Sequence, residues 1–115
     1  EVGADRRGDI EKITKWLKPD IAVISKIGHL PVHVEYFSSP EEVAKEKAFL
    51  ARAVKKNGYV IVYADDNVSL SIANEVRKKV MTYGFNDNCD LKASNYIITY
   101  QANGGTSHVS GALFR

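Results

Sequence analysis

The chain has 115 residues, 44% of them hydrophobic and 26% charged, with a formal net charge of +2. That is one ordinary domain, or a piece of a larger one, with enough apolar side chains to bury a core. The charge is too small, and the lysines too dispersed, to argue for nucleic acid. The single cysteine, Cys89, rules out a disulfide framework or a cysteine-based metal cluster within the chain and suits a reducing cytoplasm. No apolar run approaches a membrane span and no signal peptide is visible, so no membrane insertion is expected.

The chain opens on Glu1-Val2-Gly3-Ala4 without an initiator Met, and the expectation is an excised segment rather than a mature chain. Asp9 is placed to cap a short helix with Ile10, Ile13, Thr14 and Leu17 on one face, and Pro19 stops it. The run DIAVISKIG (Asp20 to Gly28) is apolar and β-branched, which predicts a strand buried on both faces, as in a parallel sheet. A long loop to Ser38 holds His29 and His33. Ser39-Pro40-Glu41-Glu42 predicts a helix start, with Ser39 as N-cap, Pro40 at the first position and the third-position Glu42 reaching back. The helix runs to about Lys56, with Asn57-Gly58 as its C-cap. Tyr59 to Ala64 is a second buried strand, the stretch from Asp65 to Lys79 a turn and helix, and Val80 to Phe85 a third strand. After Cys89 two strands flank the turn Asn103-Gly104-Gly105, an antiparallel hairpin appended to the sheet. The predicted fold class is α/β, a three-layer sandwich with a mostly parallel sheet flanked by helices. Residues 1–88 form the α/β part and 89–115 a hairpin extension.

One residue conflicts with its surroundings. Val43, Leu50, Ala51 and Val54 fall on one helical stripe, and Lys47 falls on the same stripe. An ammonium there is costly unless it snorkels, pairs or is chemically altered. Ligands gather at the carboxyl ends of parallel strands, where this sequence places Glu1 to Asp5, Gly28 to Ser38, and Asp65 to Asn67. Glu1, His33, Glu35, Asp65 and Asp66 could meet a cation or a phosphate there. Each has a plainer reading. A lone loop histidine is more often a surface residue, and Asp-Asp-Asn before a helix is more often a cap. Lys47 can be a snorkelling stem. His29 and His108 read as exposed or hydrogen-bonded structural residues, Cys89 as a small buried or edge residue, and Tyr36-Phe37 as packing under the loop.

The segments EVGADRRGDIEKI, KPDIAVISKIG, HVEYFSSPEEVAKEK, YVIVYADD and GGTSH resemble, in order and spacing over nearly the whole chain, the central domain of the Mur ligases. These are the ATP-dependent amide ligases of peptidoglycan synthesis. The E-V-G-A opening with G-D-I after it is most similar to the branch that adds D-alanyl-D-alanine, because the branches that add earlier residues tend to carry serines after this glutamate. The resemblance implies that Glu1 binds magnesium, that His33 is a ligand for a second magnesium, and that Lys47 is carbamylated by carbon dioxide, His33 and the Lys47 carbamate being the catalytic pair. A carbamate turns a repelled cation into an oxygen-bearing anion, the donor type Mg²⁺ prefers. Asp65 and Asp66 are weaker candidates for nucleotide contact. The implied reaction uses ATP to phosphorylate the terminal carboxylate of a UDP-muramoyl-tripeptide, after which the amine of D-alanyl-D-alanine displaces phosphate.

The sequence also departs from the family pattern. The loop between Gly28 and His33 is longer, which makes His29 a rival ligand. Lys26 stands where the family has Asn in T-N-I, Tyr63 where N-A-D-D is usual, and His108 in place of the aromatic in G-G-T-S-F. No G-x-x-x-x-G-K-[ST] phosphate loop occurs in the 115 residues, so the isolated chain is expected to be inactive, with the substrate-binding N-terminal and the C-terminal domains absent. Losing the first strand and helix of the sheet would expose an apolar edge. The competing expectation is a non-catalytic α/β binding module that kept the fold without ATP turnover. Ligases that add glutamate to folate are a further rival, against which E-V-G-A and H-V-E-Y-F argue.

Overall fold

The computed structural model describes residues 1–3, 5–29, 36–94, 97–103 and 106–113. Four strands, β1 (Ile21–Ile24), β2 (Tyr59–Tyr63), β3 (Lys79–Gly84) and β4 (Leu91–Lys92), form one sheet in chain order with every pairing parallel. The helices are α1 (Asp9–Thr14), α2 (Pro40–Ala53) and α3 (Asn67–Glu75). β5 (Ile97–Asn103) and β6 (Thr106–Leu113) pair antiparallel as a separate two-stranded sheet, with an irregularity between Thr99 and Tyr100. The turn glycines Gly104 and Gly105 lie outside the described residues.

The core lies between the sheet and the α2–α3 layer. Val60 and Val62 of β2 are fully buried, each contributing about 1.5–3 kcal/mol relative to exposure. They meet Ala44, Ala48 and Ala51, a row of small side chains that lets α2 sit close to the strands. The expectation of strands buried on both faces is corrected here. In β1, Ala22 and Ile24 are 2% exposed, but Ile21 and Val23 are each 57% exposed. The reason is topological. Strand order follows chain order, so successive right-handed crossovers place α2 and α3 on the same face. Among the described residues no helix covers the other face, and the layers number two.

Several boundaries also move. β1 ends at Ile24 rather than Gly28, because the N–H groups of Ile27 and Gly28 are drawn out of the strand to Asp66. α3 stops at Glu75, with Val76 already extended. α2 stops at Ala53 and Val54 is extended, so Asn57-Gly58 is not its C-cap. The end of this crossover is instead captured by the segment that leads into β1: Lys55 N–H donates to the Pro19 carbonyl and Tyr59 N–H to the Asp20 carbonyl. Gly58 is required for that close approach. A Cβ there would lie 2.1 Å from the Asp20 carbonyl oxygen and 2.6 Å from Val54 Cγ1. Gly58→Ala is therefore expected to destabilise the fold by about 2 kcal/mol or more, read as a lower urea midpoint at unchanged slope.

Candidate functional site

The carboxyl edge of the sheet is organised by two consecutive carboxylates after β2. Asp66 is 3% exposed and is the N-cap of α3, accepting from the N–H groups of Val68 and Ser69. Its Oδ2 also accepts from Ile27 N–H at 3.0 Å, from Gly28 N–H at 3.1 Å and from the Ser69 hydroxyl at 2.5 Å. Burial pushes the Asp66 carboxyl up, but the Ser69 hydroxyl and the N–H groups of Gly28, Ile27 and Ser69 outweigh it, leaving the pKa at about 2. Asp65 reaches across to the end of β3, accepting from Phe85 N–H at 2.6 Å and Asn86 N–H at 3.1 Å. The Phe85 N–H is the main cause of its lowered pKa. Tyr63 lies above Asp65, and burial, then the Asp65 charge, raises its hydroxyl. Its ring is tilted against that of Tyr83 at 5.4 Å. Both carboxylates thus bind backbone amides that hold the three strand ends together. For Asp66 the plainer reading, a helix cap, is the observed geometry.

Lys47 lies on the flank of α2 that its sequence spacing describes. Val43 and Leu50 are partly buried against the core, and Lys47 is half-buried between them. With ~100° per residue, Lys47 sits between the sheet-facing row Ala44–Ala48–Ala51 and the row formed by Glu42 and Glu46. Among the described residues no hydrogen-bond or ion-pair partner to its ammonium is present. Glu1 and His29 are exposed. His33 and Glu35 lie outside the described residues. Among the described residues no group of three or more His, Cys, Asp or Glu side chains is gathered closely enough to hold a metal ion.

Sequence reasoning missed the second buried carboxylate. Glu46 is 5% exposed and takes up the open N-terminus of α1. Its Oε1 accepts from Ile10 N–H at 2.8 Å and Glu11 N–H at 3.3 Å, and its Oε2 from Gly8 N–H at 2.9 Å. The expected cap, Asp9, is the first helical residue instead. Gly8, at φ 86°, is the N-cap, and Asp9 accepts from Arg6 N–H. Likewise Glu42 does not reach back to Ser39. It accepts from Ser38 N–H at 2.7 Å and grips Arg7 at 2.6 Å through both oxygens, and the Ser39 side chain makes no capping bond. The available signal was the helix start Gly8-Asp9-Ile10 with no Ser, Thr or Asn ahead of it, together with two glutamates one turn apart on α2.

The model of the Mur ligase middle domain matches residues 1–113. The chain is 30% identical over 109 residues to the UDP-N-acetylmuramoyl-tripeptide–D-alanyl-D-alanine ligase of Rickettsia prowazekii, covering 95% of this chain and 24% of that protein. It is 34% identical over 102 residues to the same ligase of Buchnera aphidicola, covering 88% of this chain and 22% of that protein. The UDP-N-acetylmuramate–L-alanine ligase of Clostridium beijerinckii is 33% identical over 72 residues, covering 63% of this chain and 15% of that protein. MurF from Acinetobacter baumannii shares the fold with a TM-score of 0.73 at 22% identity, over 97% of this chain and 24% of that one. The chain therefore spans about a quarter of the length of the D-alanyl-D-alanine ligases and of the MurF structure. Matched over residues 1–113, it belongs to the Mur ligase middle domain family.

Proposed function

We propose that this chain is part of an ATP-dependent ligase that joins D-alanyl-D-alanine to a UDP-muramoyl-tripeptide in the cytoplasm. The observation that carries this reading is the match to the D-alanyl-D-alanine ligase of Rickettsia prowazekii over 95% of the chain. No helix among the described residues is long and apolar enough to cross a membrane. Residues 1–115 are read as one part of the central domain; because Leu91–Lys92 pair with β3 in the parallel sheet, the hairpin extension is β5 and β6 rather than all of 89–115. The bare sheet face at Ile21 and Val23 is where the third layer of the sandwich would pack.

The residues present fit a magnesium site by donor chemistry. Glu1 offers an exposed carboxylate, and Lys47 is a half-buried amine that a carbamate would convert to an oxygen donor. With His33 these would hold the metal, and bound magnesium would neutralise charge on the γ-phosphate during transfer. The chain's own contribution is positional. Lys47 lies on α2 between Val43 and Leu50, which pack against the core, and it is half-buried there. Asp65 and Asp66 fix the strand ends beside which ATP would lie.

The test is phosphate release from ATP by the ligase that contains these residues. Release that requires both the UDP-muramoyl-tripeptide and D-alanyl-D-alanine supports the reading. Release with UDP-muramate and L-alanine instead would move the protein to the other branch, and release with neither pair would favour the non-catalytic module.

A further inference from the structure

Three segments carry the proposed ligands Glu1, His33 and Lys47, and a single hub of side chains ties those segments together. Glu46, immediately before Lys47, binds the N–H groups of Gly8, Ile10 and Glu11. Glu42, one turn earlier on α2, grips Arg7 and accepts from Ser38 N–H. The guanidinium of Arg6 lies 5.1 Å from the centre of the Tyr36 ring. Thus the segment leading from Glu1, the end of the stretch that contains His33, and the turn of α2 that bears Lys47 all meet at Arg6, Arg7, Glu42 and Glu46.

Glu46 is the buried member of this hub, at 5% exposure. An apolar side chain would fill a helix–helix seam without the desolvation penalty of a carboxylate. A carboxylate adds direction, because three N–H donors converge on its two oxygens and fix both partners. Its lone pairs are used on backbone N–H groups of residues 8–11, and it lies about 100° around α2 from Lys47. Its role toward a metal would therefore be indirect.

We infer that Glu46 is a positioning residue that locks the Glu1-bearing segment to the turn of α2 carrying Lys47, so that both ligands share one frame. The inference rests on the proposed carbamate and magnesium chemistry. Outer partners of metal ligands commonly change metal affinity by about 10–100-fold when replaced. Glu46→Gln keeps the shape and one acceptor oxygen but turns an amide N–H₂ towards backbone donors.

The experiment follows the Lys47 carbamate by ¹³C NMR in labelled bicarbonate while Mg²⁺ is titrated. It compares the wild type, Glu46→Gln, and Ile72→Val as a core variant of α3 away from the hub. Amide exchange at Gly8, Ile10 and Glu11 checks that the clamp has opened while thermal melting shows the variants folded. The expected result is a carbamate in the wild type and about a tenfold higher Mg²⁺ midpoint in Glu46→Gln, with Ile72→Val unchanged. A wild-type carbamate whose midpoint is the same in Glu46→Gln and Ile72→Val overturns the positioning role and leaves the Lys47 chemistry standing. A wild type without carbamate overturns the Lys47 chemistry, and the positioning role with it.

Discussion

Lys47→Ala is expected to lower ligase turnover by about 10²–10³-fold, the usual effect of removing one charge-stabilising group from a transfer site, while leaving the fold intact. The two halves of this expectation come from the same geometry. Lys47 is half-buried beside Val43 and Leu50 on the flank of α2, and its ammonium has no partner among the described residues. Truncation therefore removes some stem packing but orphans no described polar group, and a loss of about 1 kcal/mol or less is expected. Intact mass measured gently in bicarbonate should show one added CO₂ on the wild type and none on Lys47→Ala. If the variant keeps wild-type turnover and both proteins have the unmodified mass, Lys47 is a snorkelling stem.

Lys47 was legible because its conflict is local: a cation at helical spacing among apolar residues needs only the helix to be visible. The start of α2 at Pro40 and β2 at YVIVY were legible for the same reason, since each signal lies within the element. What escaped depends on partners distant in the chain. Glu46 looks like any surface glutamate until Gly8, Ile10 and Glu11 arrive from another helix. The early end of α2 depends on the Pro19 carbonyl taking Lys55 N–H, and Gly58 on the Asp20 carbonyl beside it. The one-sided sheet follows from strand order, which no single strand's composition encodes. β4, only Leu91–Lys92, is too short to have a period and exists because β3 offers a parallel edge. For the candidate site, the side chains proposed to hold a metal, Glu1, His33 and Lys47, came from the resemblance to the family. The hub that holds their segments together could not be read in advance, because its contacts join residues far apart in the sequence.

Asp66→Asn carries the largest expected effect on stability. The carboxylate, 3% exposed, receives N–H groups from Ile27, Gly28, Val68 and Ser69 and the Ser69 hydroxyl. An amide keeps one acceptor oxygen and sets an N–H₂ against backbone donors, so a loss of about 3 kcal/mol at neutral pH is expected. The sign of the pH dependence follows from the lowered pKa of about 2, against an ordinary 3.8. The folded state binds this proton more weakly than the unfolded chain does. The carboxylate therefore contributes fully above about pH 4, and its contribution fades as pH falls towards 2. The total is about 2 kcal/mol, with about half gone by pH 3. Urea unfolding from pH 7 down to pH 3 should show the wild type losing stability more steeply than Asp66→Asn, the gap between them narrowing by about 1 kcal/mol. Parallel pH profiles would show that Asp66 is not the group responsible. That narrowing would have a consequence for the site as well. Asp66 holds Ile27 and Gly28, which precede the stretch that contains His33. Protonating Asp66 would thus weaken its hold on Ile27 and Gly28, while Glu42 and Arg6 keep their contacts with Ser38 and Tyr36.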